Sequence, residues 1–294
     1  MVPYFKNLKL KDLTHNRHQK FINHLSEQGY ISRTIELVHR TLSSAMRFAE
    51  NPLGKISKNP CVGAVIPKRQ SRKKKGELKY IESDQIATFL KVARQDNYNH
   101  WIFFKTLIFT GMRKGEAAAL KWKDVDFDKK TISINKSLDF QPLEEADLFG
   151  DTKTYESERN IKISDELIEE LKTHKQYINQ NRAIFEDGYL KDLNLVFCRQ
   201  DGSPLPKSTL FNAFNRILKN AEIEKLPIHS TRHTHAVLLL ESGASMKFIQ
   251  KRLGHKTMAV TSDTYSHISD KLENEAMDNF TNYMEKMTTK TDKN

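Results

Sequence analysis

The sequence predicts a mainly α-helical chain with a small antiparallel β-sheet, organised as two domains. Three observations predict this. Apolar residues recur mostly at helical spacing, and only TISIN (131–135) and NIKIS (160–164) alternate as half-buried strands do. A charged, apolar-poor run at 67–79, PKRQSRKKKGELK, separates a small front module from a larger body. At 294 residues, with 38% hydrophobic and 29% charged residues, the chain is long enough for two globular cores.

In the front module, Thr14 to Gln28 carries Phe21, Ile22 and Leu25 at helical spacing, and Gly29 follows as a stop. Ser32 is the expected cap of a second helix with Ile35, Val38, Leu42, Ala45 and Ala49 along one face. Pro52, Gly54, Asn59 and Pro60 then break the pattern. The body opens near Tyr80, with Ser83 expected to cap a helix containing Ile86, Phe89, Leu90 and Ala93. WIFFKTLIFTG, ending at Gly111, reads as a buried helix and KGEAAALKW as a short one. Between the two strand-like segments lies an acidic insertion, 139–151, for which no structure is predicted. Ser164 caps DELIEELKTH, Leu195 to Cys198 reads as another short strand, and from Lys207 onward the pattern is helical.

Bulk properties exclude several classes. No stretch approaches the roughly 18 uninterrupted apolar residues of a membrane span. The N-terminus, MVPYFKNLKLKD, is too polar for a secretory signal. Cys61 and Cys198 lie far apart, giving neither a disulfide framework nor a metal knuckle, which fits a reducing cytoplasm.

The net charge of +11 is concentrated at the front. Residues 1–66 carry 10 Lys/Arg against 4 Asp/Glu, and residues 67–79 carry 7 against 1. From residue 80 onward the count is 31 against 32. This asymmetry points to an element that tracks a polyanion, nucleic acid above all, joined to a near-neutral body. Lys68, Arg69, Arg72, Lys73, Lys74 and Lys75 are the candidate DNA contacts; the alternative is a solvated linker.

The chemistry concentrates in IHSTRHTHAVLLL (228–240). His229, Arg232, His233 and His235 admit three readings: metal ligands, a DNA-contacting surface, or a phosphate-handling site. A permanent guanidinium among imidazoles opposes a metal, and no HExxH or Cys pair supports one. Upstream, TGMRKGE (110–116) sets Arg113 three residues before Glu116, which can brace its guanidinium. Downstream, RLGHKTMAVTSDTYSHI places His255 after Gly254 and Tyr265 ten residues later.

The order TGxRxGE, HxxR, LGH and Tyr resembles the tyrosine recombinase (phage integrase) family, and the resemblance covers essentially the whole chain. It implies a helical core-binding domain (1–66), a basic interdomain linker (67–79) and a catalytic domain (80–270), clamped around DNA. It also implies a tail helix (271–294) that docks on a neighbouring subunit, self-docking being the alternative. Arg113 and Arg232 would hold the non-bridging oxygens of a scissile phosphate, with His229 and His255 completing the pocket. Tyr265 would be the nucleophile, and Glu116 would support the pocket without touching phosphate. Lys153, in DTKTYESERNIKI, matches the family's hairpin lysine, with Lys136 and Lys162 as competitors. His233 and His235 are left as structural.

The implied activity is site-specific recombination through a 3′-phosphotyrosyl intermediate, integrating or excising a mobile element, with no metal, ATP or other cofactor. A chromosome-resolving recombinase, a type IB topoisomerase-like enzyme and a non-catalytic DNA-binding regulator are the alternatives. The implied partner is double-stranded DNA at attachment sites, bound by a homotetramer on paired sites, with a monomer as one reading of the free state. A directionality factor or a host DNA-bending protein would be accessory, no membrane is involved, and the setting is the cytoplasm of a bacterial host. The chain opens on VPYFKNLKLKDLT, which looks like the segment joining an arm-binding domain to the core-binding helices. That domain is therefore expected to be missing, by truncation or in a natural short form.

The physics of the implied roles is consistent. Attack on a phosphodiester builds charge on equatorial oxygens, and guanidinium forks match that geometry. A phosphotyrosyl bond conserves the energy needed for religation.

Overall fold

The computed structural model describes residues 2–67, 78–142, 144–151 and 158–255, together with 257, 261, 265, 277, 280 and 281. Lys153, the linker cations Lys68, Arg69, Arg72, Lys73, Lys74 and Lys75, and most of the 271–294 tail lie outside the described residues. The chain divides into two compact units, Met1–Glu77 and Leu78–Asn294. Among the described residues, no helix is long and apolar enough to cross a membrane.

The first unit holds α1 (Val2–Phe5), α2 (His15–Glu27) and α3 (Ser32–Glu50). Thr14 caps α2, its hydroxyl accepting from the Arg17 N–H. Ser32 does not cap α3: Ile31 takes that position without a side-chain bond, and the Ser32 hydroxyl donates to Pro67 O at 3.0 Å. The buried face of α3 also differs from the expected one. Met46 is buried and Ala45 exposed, so the larger apolar side chain wins the core position, beside Leu13 and Cys61. Gln19 fastens the return segment through both amide and carbonyl of Val65.

The second unit is built around α5 (Tyr98–Thr110), most of whose residues are buried. It packs on α4 (Ile86–Asp96), α6 (Lys114–Ala118), α7 (Asp165–Phe185) and α9 (Ser230–Glu241). A helix apolar on all sides has to be central, since no face can be left to water. Lys105, on this helix, is buried and donates to Glu166 and Glu170 of α7 at 2.7 and 3.2 Å, so its charge is paired. α8 (Lys207–Asn220) covers α4, and α10 (Met246–Leu253) packs on α9. Glu82, not Ser83, caps the turn leading into α4, while the Ser83 hydroxyl donates to Glu241.

β1 (Val125–Asp126), β2 (Thr131–Ile134) and β5 (Arg159–Lys162) form an antiparallel sheet in the order β1-β2-β5. Ile132 faces Ile161 across the ladder and both are buried, while Ser133 bonds Asn160 on the other face. The acidic insertion closes a second hairpin, in which β3 (Lys136–Leu138), just before it, pairs with β4 (Phe149–Asp151) at its end. Leu195 to Cys198 forms no strand. It makes only isolated bridges, Lys121 with Leu195 and Cys198 with Pro204, although Leu195, Val196, Phe197 and Cys198 are all buried.

Candidate active site

Two glycines create the site's frame. Gly111 ends α5 at φ +68° and Gly254 ends α10 at φ +66°, both left-handed, where a side chain would be strained. A Cβ on Gly111 would also sit 2.6 Å from the His235 ring and 2.7 Å from Leu253. These stops leave helix-end carbonyls that need donors. Arg232, on α9, supplies them: Nη1 donates to Gly111 O at 2.8 Å and Nη2 to Leu253 O.

Arg232 is only 1% exposed. Burial, then the nearby Arg113, works against its charge, and Glu116 favours it. The negative ends of α5 and α10 lie against the same guanidinium, which offsets its desolvation further. Deprotonation is not a route open to arginine, so this buried cation is retained.

Arg113 precedes α6 and donates from Nη1 to Glu116 Oε1 at 2.7 Å, while its backbone N–H donates to Oε2 at 2.9 Å. Arg159, at the start of β5, holds the other side of that carboxylate, Nη2 to Oε2 at 2.8 Å. Burial opposes the Glu116 charge, but Arg159 first and Arg113 next outweigh it and keep the carboxyl below its usual range. Glu116 is 2% exposed at its side chain, Arg159 6% and Arg113 40%. Arg113 is thus the partner with a face left for a ligand.

The histidines divide by role. His229 stands at the N-cap of α9, exposed on one side; the protein packed on its other side, then Arg232 and Arg113, disfavour its protonated form. His255 bonds the Thr261 hydroxyl through Nδ1 at 2.8 Å, and burial with Arg232 and Arg113 pushes it down to about 3. The response of both rings to both arginines reflects their convergence. His235 is structural in a defined tautomer. Ile108 O can only accept, so Nδ1 carries the hydrogen, and Nε2 accepts from Arg252 Nε at 2.8 Å.

Tyr265 is helical and 1% exposed, packed with Val237, Leu240, Ile249 and Leu253. Its hydroxyl meets His233 Nδ1 at 2.9 Å, and the His233 ring stands edge-on to His229 at 5.0 Å between centroids. Burial raises the phenol to about 12, and Arg232 lowers it. A cleft of about 530 Å³ opens beside Arg113 and His229, rimmed by Lys114, Phe140, Lys207 and Phe211.

The fold gathers Arg113, Glu116, His229, Arg232, His255 and Tyr265, the six positions expected from the sequence, in one region. Three further side chains stand among them. Arg159 supports Glu116, and Arg252 bonds His235, Lys162 O and Phe109 O, tying α10 to β5 and α5. His233 touches Tyr265 rather than only packing. Helical spacing was a usable signal for His233, four residues after His229 on one face. Of the competitors to Lys153, Lys136 is engaged by Asp124 at 2.9 Å, and Lys162 is exposed on β5.

A model of the phage integrase family matches residues 79–271, and one of its N-terminal SAM-like domain matches residues 1–26. A XerC-like tyrosine recombinase of Caldanaerobacter subterraneus is 27% identical, covering 94% of this chain and 74% of the relative. The ICEBs1 integrase of Bacillus subtilis is 26% identical, covering 94% and 72%. Among solved structures, the Tn1549 transposon integrase in complex with a circular intermediate DNA superposes with a TM-score of 0.63 at 22% identity, over 91% of this chain and 86% of that one. The chain belongs to the phage integrase family, the tyrosine recombinases, whose members are site-specific DNA recombinases.

Proposed function

We propose that this recombinase is the integrase of a mobile genetic element and that Tyr265 cleaves its DNA. Attack of the Tyr265 oxygen on the scissile phosphorus forms a 3′-phosphotyrosyl bond and releases a 5′-hydroxyl. Arg113 and Arg232 neutralise the equatorial oxygens, and His229 and His255 donate hydrogen bonds to the same phosphate. Lys153 protonates the leaving 5′-oxygen. The observation that carries this reading is the Tyr265 phenol, buried against α9 and lying in the field of Arg232. A protein that only bound DNA would have no use for a hydroxyl so placed.

The first unit and the linker cations Lys68, Arg69, Arg72, Lys73, Lys74 and Lys75 hold the DNA backbone, so that affinity falls as salt rises. The enzyme works in the cytoplasm of a bacterial host, as a tetramer on paired sites. Relatives named as the ICEBs1 integrase and as the integrase of Staphylococcus phage L54a support the mobile-element assignment. Sequencing the DNA bound in cells separates this reading from the alternative of chromosome resolution. Tyr265→Phe tests the chemistry. DNA binding is expected to persist while the covalent adduct disappears from denaturing gels; an adduct with the Phe variant overturns the assignment.

A further inference from the structure

We propose that His233 is a further catalytic residue, the group that accepts the phenolic proton of Tyr265 as the tyrosine attacks phosphorus. The inference rests on Tyr265 being the nucleophile. Its basis is geometric: Nδ1 of His233 lies 2.9 Å from the Tyr265 hydroxyl, within the range required of a general base. That hydroxyl belongs to a ring that is 1% exposed, so its hydrogen requires a protein acceptor.

The surroundings suit the role. His229 and Arg232 face His233 from its own helix, and Tyr265 and His255 from the segment after α10. Burial first, then His229 and Arg232, hold its imidazolium down to about 4, so near neutral pH the ring is uncharged and able to accept. In the tautomer bearing hydrogen on Nε2, Nδ1 presents its lone pair to the phenol.

The step balances. The Tyr265 oxygen forms a bond to phosphorus, its proton passes to His233 Nδ1, and the phosphorus–O5′ bond breaks with its electron pair leaving on O5′. The imidazolium formed lies beside the anionic phosphoryl group, which raises its pKa above the DNA-free value at the moment the proton moves. His229, one helical turn away, remains available as a donor to that phosphate, so the two histidines divide donor from acceptor.

The test is single-turnover cleavage of a nicked suicide duplex at saturating DNA, from pH 6 to 9, by wild type, His233→Leu and His233→Asn. Asn keeps an acceptor near the position of Nδ1 but cannot hold a proton. Both variants are expected to bind DNA as wild type does and to form adduct roughly 100-fold or more slower at pH 7. The gap should narrow about tenfold per pH unit as hydroxide takes over the phenolic proton. A constant gap across pH, or near-wild-type cleavage by His233→Asn, overturns the proposal. If His233→Leu fails to fold, His233→Asn alone carries the measurement. Tyr265→Phe, run alongside, separates the two readings. Adduct formation by that variant removes the nucleophile itself, whereas its inactivity together with a pH-independent gap removes only the role of His233.

Discussion

Two histidine clusters, one in each unit, carry the same electrostatic mark and serve different ends. In the first unit His18 is fully buried, bonded through Nε2 to His39 Nδ1 at 3.0 Å, and pushed down to about 4 by burial, then by His39 and His15. In the second unit His233 is pushed to the same value by burial, then by His229 and Arg232. A depressed imidazole therefore does not by itself identify a site. The difference lies in the company. His18 is closed off by other imidazoles inside a helical core, whereas His233 shares its surroundings with a buried guanidinium, a second histidine open to solvent and a phenol.

Four measurements probe that contrast. The largest effect is expected from Arg232→Ala, which removes the cation that sets the second cluster apart. Adduct formation in single turnover should fall about 1,000-fold, the scale of a lost transition-state donor. A loss under tenfold would mean the guanidinium serves only the carbonyls of Gly111 and Leu253. Next, Glu116→Gln leaves Arg113 and Arg159 facing a neutral amide. It should lower unfolding free energy in urea by about 3 kcal/mol, as expected for a broken buried ion network; an unchanged midpoint would show that the two cations need no counter-charge.

A third measurement uses pH and should affect both units. His18 and His174, each held at about 4 in the folded chain, bind a proton more readily once unfolded. Their folded pKa values are depressed, so the unfolded state gains protons first as pH drops below about 6.5. Stability is then lost progressively down to about 4, by about 3 kcal/mol for the fully buried His174. Denaturation midpoints at pH 7, 5.5 and 4.5 check the direction; a flat series contradicts it. The smallest effect is expected from His18→Asn. It should cost about 1 kcal/mol of stability through a lost buried hydrogen bond. At saturating DNA its cleavage rate should match wild type, in contrast to substitution of His233; a slowed cleavage step would erase the distinction between the clusters.

The positions of α2, α5, α7 and the β2–β5 pairing were legible because each is written locally. Thr14 and Ser164 stand one residue before their helices, and Ile132 and Ile161 sit in alternating strings. The β3–β4 hairpin was not legible, because the acidic stretch between its strands shows no alternation and β3 is held by packing on α6. Ser32 and Ser83 misled for a related reason: each hydroxyl is taken by a group distant in sequence, Pro67 O and Glu241. Within the site, Arg113, Arg232 and Tyr265 were readable as an ordered set. Arg159 was not, since its role depends on the strand register that brings it to Glu116.

The two carbonyls bonded by Arg232 have a consequence for biosynthesis. Gly111 and Leu253 are separated by most of the catalytic unit, and both must be in place before the guanidinium has its acceptors. A nascent chain still on the ribosome, with α10 not yet emerged, carries Arg232 and Gly111 O but lacks the second acceptor, Leu253 O. Premature termination before residue 253 likewise yields a fragment without Tyr265. The buried guanidinium is thereby satisfied only after α10 has been made, an order of assembly that comes from chain order alone.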